Sequence, residues 1–300
     1  MAGKRKLNRM RRREARTGYA FISVWLIGFV FLFLRPLGMA FYYSFQEMTI
    51  MPDGVHYTFT GLENFIYKFR DDIYFFDDVV WPGLSKFVIE VPICVIFSLF
   101  IAMVLNQEFR GRTFARALFF LPVIITSGIA IQVLRSYGMD TSMETENTYL
   151  FSSNGVAQIL SSAGLPQMIV DVFTQIADRL FDIVWMSGIQ IILYLSGLQG
   201  IPASEYEAAQ IEGATAWECF WKITWVRISP ITLVVVVYSL IDSFTNVSNT
   251  MIKFVYEEYS LRGNLGGSSA LGLSYCLVAF LIILVIYAIT SRHVFYVNEN

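Results

Sequence analysis

Six stretches of this chain approach what is needed to cross a hydrocarbon core of about 30 Å, which takes about 20 apolar residues of helix. They cover residues 18–45, 83–105, 115–134, 178–198, 231–251 and 269–289. Lipid offers the backbone no hydrogen-bond partners, so each stretch must satisfy its own N–H and C=O groups as an α-helix. That reduces the fold class to an all-α integral membrane protein with six transmembrane helices. Composition agrees, because only 15% of the residues are charged, against about 25% in soluble domains. Two spans are less clean than the rest. Arg35-Pro36 interrupts the first, where a kink or an early end is expected. Asp178, Arg179 and Asp182 blur the start of the fourth.

Orientation follows from where Lys and Arg fall. Lys4, Arg5, Lys6, Arg9, Arg11, Arg12, Arg13 and Arg16 precede the first span. Arg110, Arg112 and Arg116 lie between the second and third, Lys222 and Arg227 between the fourth and fifth, and Arg292 after the last. With six spans all of these share one side, which is therefore read as cytoplasmic, with both termini on it. The opposite side carries fewer bases and many acids, among them Asp71, Asp72, Asp77, Asp78, Glu144 and Glu146. The net charge of −2 conceals this asymmetry and gives no sign of nucleic-acid binding. The expected layout is a basic tail over 1–17, the first helix and an extracytoplasmic loop over 18–82, a membrane core over 83–292, and a short cytoplasmic tail over 293–300. The apolar stretch behind the basic arm is too long for a cleaved signal, so an uncleaved first helix is expected.

A polar interruption over residues 202–230 divides the fourth span from the fifth. Pro202 blocks continuation of the preceding helix. Ser204 and Glu207 have the spacing of a capping box, and Thr215 and Glu218 repeat it. Glu205 puts negative charge at a helix N-terminus. Ala208, Ala209, Gln210 and Ile211 suit a helix, and Gly213 supplies the positive φ of a helix C-terminus. The pattern predicts a short helix, a tight turn and a second helix. On the second, Trp217, Phe220, Trp221, Trp225 and Ile228 share one apolar face, suited to the membrane interface or to neighbouring helices.

Charge inside a span is costly, about 2.5–3.5 kcal/mol for a group at the helix centre on insertion scales. Glu90 lies one helical turn after Lys86, within pairing distance, and Pro92 follows with an expected kink. Asp242 lies in the fifth span, with Ser239, Ser243, Asn246 and Asn249 at spacings of three and four. Such a polar stripe suits either a wet pathway for a hydroxyl-rich solute or hydrogen-bonded glue between helices. Catalytic signatures are missing. There is no phosphate-cradling G-x-x-x-x-G-K-[S/T] and no G-x-S-x-G, and His56 and His293 fall on opposite predicted sides. Cys94, Cys219 and Cys276 are too scattered for a disulfide framework. Gly263 to Gly267 reads as a turn before the last span.

The loop resembles the "EAA" motif of bacterial ABC importer permeases. The match is Glu207-Ala208-Ala209, three residues, then Gly213-Ala214, with Trp217, Phe220, Ile223-Thr224 and Pro230 in the expected places. Arg13 to Tyr19, Pro36-Leu37, Ser44-Phe45, Gly61 to Phe65 and Ala117 to Pro122 are similar to carbohydrate-uptake permeases of the maltose type. Three departures are visible. Glu212 replaces the usual Asp, Val226 replaces a frequent Pro, which predicts a straighter second loop helix, and Asn246-Val247-Ser248-Asn249 stands where Gly-Gly-Pro is common. The last hints at a divergent subgroup handling oligosaccharides.

The resemblance implies a function for each part. Two permease subunits would form the channel in the bacterial plasma membrane. Two cytoplasmic ATP-binding subunits would hold ATP and Mg, so this chain would carry no cofactor, no metal and no catalytic site. They would grip the loop at Glu207, Ala208, Ala209, Glu212, Gly213 and Ala214. An extracytoplasmic solute-binding protein would deliver the sugar to loops within 46–82 and 136–177. The candidates for the substrate pathway, Glu90, Asp242, Asn246 and Asn249, come from their own chemistry and not from the resemblance, and the glue reading stays open beside them. The alternative is an ion-coupled secondary transporter acting without an ATPase, often built from inverted repeats, of which the sequence shows no convincing instance.

Overall fold

The computed structural model describes residues 17–51, 54–66, 76–126, 166–246, 249–261, 263–292 and 294–295. It divides into two units, one made of residues 1–84 and 246–281 and the other of residues 85–245 and 282–300. Among the described residues, four helical runs are long and apolar enough to cross a membrane. They are α1 (Thr17–Tyr43), α2 (Trp81–Asn106), a run containing Trp225–Thr245, and the last helix, Leu265–Ser291. The chain is thus a multi-pass membrane protein. The sequence predicts six spans. The third is seen as α3 (Arg112–Thr126), and its remaining residues, 127–134, lie outside the described residues. The loop over 136–177 lies largely outside them too. The fourth is not one helix from residue 178. It is α4 (Gln167–Met186) followed by α5 (Gly188–Gln199), with Ser187 between them. The Ser187 N–H still reaches the Ile183 carbonyl, so the chain bends there rather than leaving the helical path.

The first unit contains α1, which passes through Arg35-Pro36 without ending. A π-turn over Val30–Leu34 precedes the proline, and the Arg35 N–H bonds the Val30 carbonyl. Widening the helix there absorbs the proline ring. No residue of α1 is buried, as expected of a helix that is apolar all round and meets lipid or another chain. The chain is mostly helical, but a local departure from the all-α expectation follows immediately. Gln46–Met51 (β1) and Gly54–Phe59 (β2) form an antiparallel hairpin, with Gln46 opposite Phe59 and Met48 opposite Tyr57. Asn64 fastens its base, donating from Nδ2 to the carbonyls of Ser44 (3.0 Å) and Gln46 (2.9 Å). The last helix packs so tightly on this base that a Cβ added at Gly266 would overlap the Gln46 carbonyl oxygen.

The second unit holds the core. Leu99, Ala102 and Leu105 of α2 pack with Ile191, Tyr194 and Leu198 of α5, and Ile228 and Val235 join them from the Trp225–Thr245 helix. Arg116 of α3 donates from Nη2 to the Leu105 carbonyl at 3.0 Å, capping the negative end of α2. Gly197 lets α5 approach the 225–245 helix closely, since a Cβ there would lie 2.9 Å from Ile231 Cγ1.

Candidate functional site

The 202–230 segment folds from strictly local instructions. Pro202, at φ −63° and ψ 134°, is the N-cap of α6 (Ala203–Ile211). Ser204 therefore sits inside the first turn, and the Ser204–Glu207 capping box does not form: no side chain caps this helix. The reason is that proline's fixed φ places the extended residue two positions earlier than the box requires. Glu205 does fall in the first turn. At the other end Gly213 adopts φ +83°. Its N–H reaches the Gln210 carbonyl at 3.0 Å, and the Ala214 N–H reaches Ala209 at 2.9 Å. Those two bonds are a Schellman ending, which needs the left-handed conformation that glycine adopts without strain.

The second box does form. Thr215 Oγ1 accepts from the Glu218 N–H at 3.3 Å, and Glu218 Oε2 accepts from the Thr215 N–H at 3.0 Å. That backbone bond, with the Thr215 hydroxyl and Lys222 adding to it, holds the Glu218 carboxyl below the usual carboxylate range. From Ala216 the chain makes one α-turn and then a π-turn over Phe220–Thr224, and continues as α7 (Trp225–Thr245). The straighter helix expected from Val226 is therefore interrupted: the π-turn inserts a residue into the ladder and shifts the register of everything after it. Trp217, Trp221 and Trp225 form an exposed edge-to-face ladder with centroids 5.5 and 5.9 Å apart, whereas Ile228 is fully buried.

All six expected coupling residues lie on this one structure. Glu207, Ala208, Glu212 and Gly213 are exposed, and Ala209 and Ala214 half-exposed. Among the described residues, no atom comes within 4 Å of the position a Cβ would take on Gly213. Ile211 is the residue that sequence reasoning passed over: it is 88% exposed, a branched apolar side chain standing in the open beside Glu212 and Gly213. Its signal was available, because an apolar residue just before the helix-ending glycine of a polar helix has no core to enter.

The four expected pathway residues separate. Glu90 of α2 is half-buried, pairs with Lys86 at 3.3 Å, and accepts from Ser243 of α7 at 3.5 Å. Asp242 is also half-buried in α7, one residue away. Gln190 of α5, almost fully buried, donates from Nε2 to Ser239 at 3.2 Å, while its Oε1 has no hydrogen-bond partner among the described residues. The stripe stops there. Asn246 lies beyond the end of α7, and Asn249 is not in the span at all. Asn249 belongs to the other unit, where it is the N-cap of α8 (Thr250–Ser260): Oδ1 accepts from the Met251 N–H and Nδ2 donates to the Gly83 carbonyl, both at 3.0 Å. A buried asparagine with both polar ends used is a structural staple. The Gly263–Gly267 turn is likewise shorter than expected. Asn264 Oδ1 accepts from the Gly267 N–H at 2.8 Å, starting α9 (Leu265–Ser291) four residues before the predicted span. Among the described residues no cluster of His, Cys, Asp and Glu is arranged to hold a metal ion.

No protein-family model matches the chain. Whole-protein relatives do. The Bacillus subtilis protein YesP, a probable ABC transporter permease, is 27% identical over 98% of this chain and 97% of its own length. The arabinooligosaccharides transport system permease protein AraP of Halalkalibacterium halodurans is 26% identical over 88% of this chain and 84% of its own. The sn-glycerol-3-phosphate transport system permease protein UgpA of Yersinia pestis is 30% identical over 71% of this chain and 68% of its own. Among solved structures, a chain of a bacterial ABC transporter involved in alginate import superposes with a TM-score of 0.65 at 18% identity, covering 96% of this chain and 99% of that one. Membrane helices, loop and relatives together place the chain: it belongs to the family of ABC transporter permeases, the membrane-spanning, non-catalytic subunits of these transporters.

Proposed function

We propose that this chain is one of two permease subunits of a bacterial ABC importer that takes up an oligosaccharide. Both termini and the 202–230 loop lie in the cytoplasm, where the excess of Lys and Arg puts them. Two ATP-binding subunits dock on α6 and its turn, and hydrolyse ATP with Mg. Glu207, Ala208, Ala209, Glu212, Gly213 and Ala214 form the docking piece, with Ile211 as its apolar anchor. A solute-binding protein delivers the sugar from outside. Inside the membrane, Glu90 and Asp242 with Ser239 and Ser243 line the path, and their hydroxyls and carboxylates suit a hydroxyl-rich solute.

The observation that carries this reading is the exposed Schellman turn at Gly213 on a helix that buries no residue of its own. A helix without a core face is kept ordered by its ends, and its free surface is available to a partner. The substrate class rests on relatives such as AraP, whose system transports arabinooligosaccharides. The test is purification of the tagged chain from native membranes, followed by reconstitution with the proteins that accompany it. ATP hydrolysis stimulated by a solute-binding protein loaded with arabinooligosaccharides is the expected result. Uptake by the chain alone, driven by an ion gradient with no ATPase present, would refute it in favour of a secondary transporter.

A further inference from the structure

If α6 receives a push, something must hand it on to the membrane helices. α6 buries none of its residues fully, and two side-chain bonds tie it to α7. Arg227 of α7 grips Glu205 of α6 in a fork: Nε donates to Oε2 at 2.9 Å and Nη2 donates to Oε1. One residue along α6, Tyr206 Oη and Thr224 Oγ1 are 2.8 Å apart. Thr224 donates its own proton toward the Cys219 carbonyl, 3.4 Å away, so the bond runs from the tyrosine hydroxyl to the threonine oxygen. A planar guanidinium on a carboxylate fixes distance and angle together. A second bond beside it removes the remaining rotation about the first.

The acceptor side is equally built. Thr224 closes the π-turn and Arg227 lies in the first turn of α7. The π-turn moves the residues after it round the helix axis relative to a plain α-helix, so the Trp217–Trp221–Trp225 ladder and the Thr224–Arg227 pair occupy different faces. Thr224 is buried and Arg227 half-buried, and immediately beyond them Ile228 enters the core with Leu198 and Val235. A displacement of α6 applied through Glu205 and Tyr206 therefore arrives one turn from packed membrane helices.

We propose that Glu205, Tyr206, Thr224 and Arg227 are positioning residues for transport: they clamp α6 to the base of α7 so that both move as one rigid body. The proposal rests on the reading that α6 is the docking helix. The role of the four is to keep the lever attached to its shaft.

The experiment uses the complete complex in nanodiscs, with Cys94, Cys219 and Cys276 replaced by serine and spin labels at Gln210 and Val234. The distance between the labels is measured with and without ATP plus vanadate. The expected result is one narrow distance, unchanged by trapping. Arg227→Gln and Glu205→Gln should each broaden it, shifting the attached-to-detached ratio by about tenfold, the low end for hydrogen bonds to a charged group because the pair is partly exposed. The complex should still hydrolyse ATP, with hydrolysis no longer stimulated by the binding protein. The exchange Glu205→Arg with Arg227→Glu should narrow the distance again and restore stimulation, and Tyr206→Phe should broaden it moderately. A narrow distance and full stimulation in Arg227→Gln or in Tyr206→Phe would overturn the clamp, as would an assembled exchange variant that stays uncoupled. If no ATPase accompanies the chain, the docking reading fails and the clamp fails with it; if an ATPase does accompany it and the single variants behave as wild type, the clamp alone fails.

Discussion

Gly213 offers the sharpest test of the docking surface, because its two properties predict opposite orders for a series of substitutions. Its φ of +83° lies in the left-handed region, which costs an ordinary L-residue about 1–2 kcal/mol and asparagine less. Among the described residues, nothing lies inside 4 Å of the point a Cβ would occupy there. Gly213→Ala therefore adds backbone strain and no internal clash. The strain, about five- to thirtyfold in the local equilibrium, falls on the Schellman bonds to Gln210 and Ala209 and not on the membrane core. Thermal unfolding of the detergent-solubilised protein should be unchanged. In the assembled complex, Gly213→Ala and Gly213→Asn separate the two effects. If the loop only needs its backbone geometry, asparagine should be the milder change. If a partner closes over Gly213, the larger asparagine should be worse, with ATP hydrolysis persisting and uptake lost. Normal uptake by both variants would refute the idea that this turn is a docking surface.

Gly197→Ala should lower the unfolding temperature, because its methyl would meet Ile231 Cγ1 at 2.9 Å, an overpacking cost of about 1–3 kcal/mol; adding Ile231→Ala should recover part of the loss, and no loss in the single variant would contradict the close approach. Asn249→Ala should cost about 1–3 kcal/mol through the unpaired Gly83 carbonyl and Met251 N–H, read by unfolding in detergent, whereas altered uptake with unchanged stability would return Asn249 to the pathway. Thr215→Ala should fray the start of the second loop helix, visible as faster amide exchange at Glu218 and Cys219. The Glu218 carboxyl is held low by its bonds to Thr215. Its contribution is therefore present above the ordinary carboxylate range and is lost as pH falls through the lowered value, so the protection of the cap amides, measured relative to their intrinsic exchange rates, should fall in acid for wild type but not for Glu218→Gln.

What could be read in advance was what neighbours within a few residues decide. The Thr215–Glu218 box and the Gly213 turn are contacts over three to five positions, and both formed as read. The Ser204–Glu207 box had the same spacing and failed because Pro202 captured the N-cap two residues earlier. Asn249 shows the limit of counting periods: its spacing from Asp242 and Asn246 matched a helical stripe, but the helix ends at Thr245 and restarts at Thr250. The hairpin over residues 46–59 was missed because two short strands beside a long apolar helix leave little signal. Between a kink and an early end at Arg35-Pro36 the sequence did not choose, because the π-turn that carries α1 through has no sequence period of its own.

The order of residues alone was enough to specify the solvent this protein folds in and the ends of its loop helices. Twenty apolar residues admit one backbone solution in lipid, and a glycine or a threonine–glutamate pair acts on its own turn. Which polar side chains meet was settled by how the helices pack. Glu205 and Arg227 are 22 positions apart, and Glu90 and Ser243 are 153 apart. No periodicity connects such residues; they face each other only because packed apolar surfaces and a π-turn set the rotation of the helices that carry them.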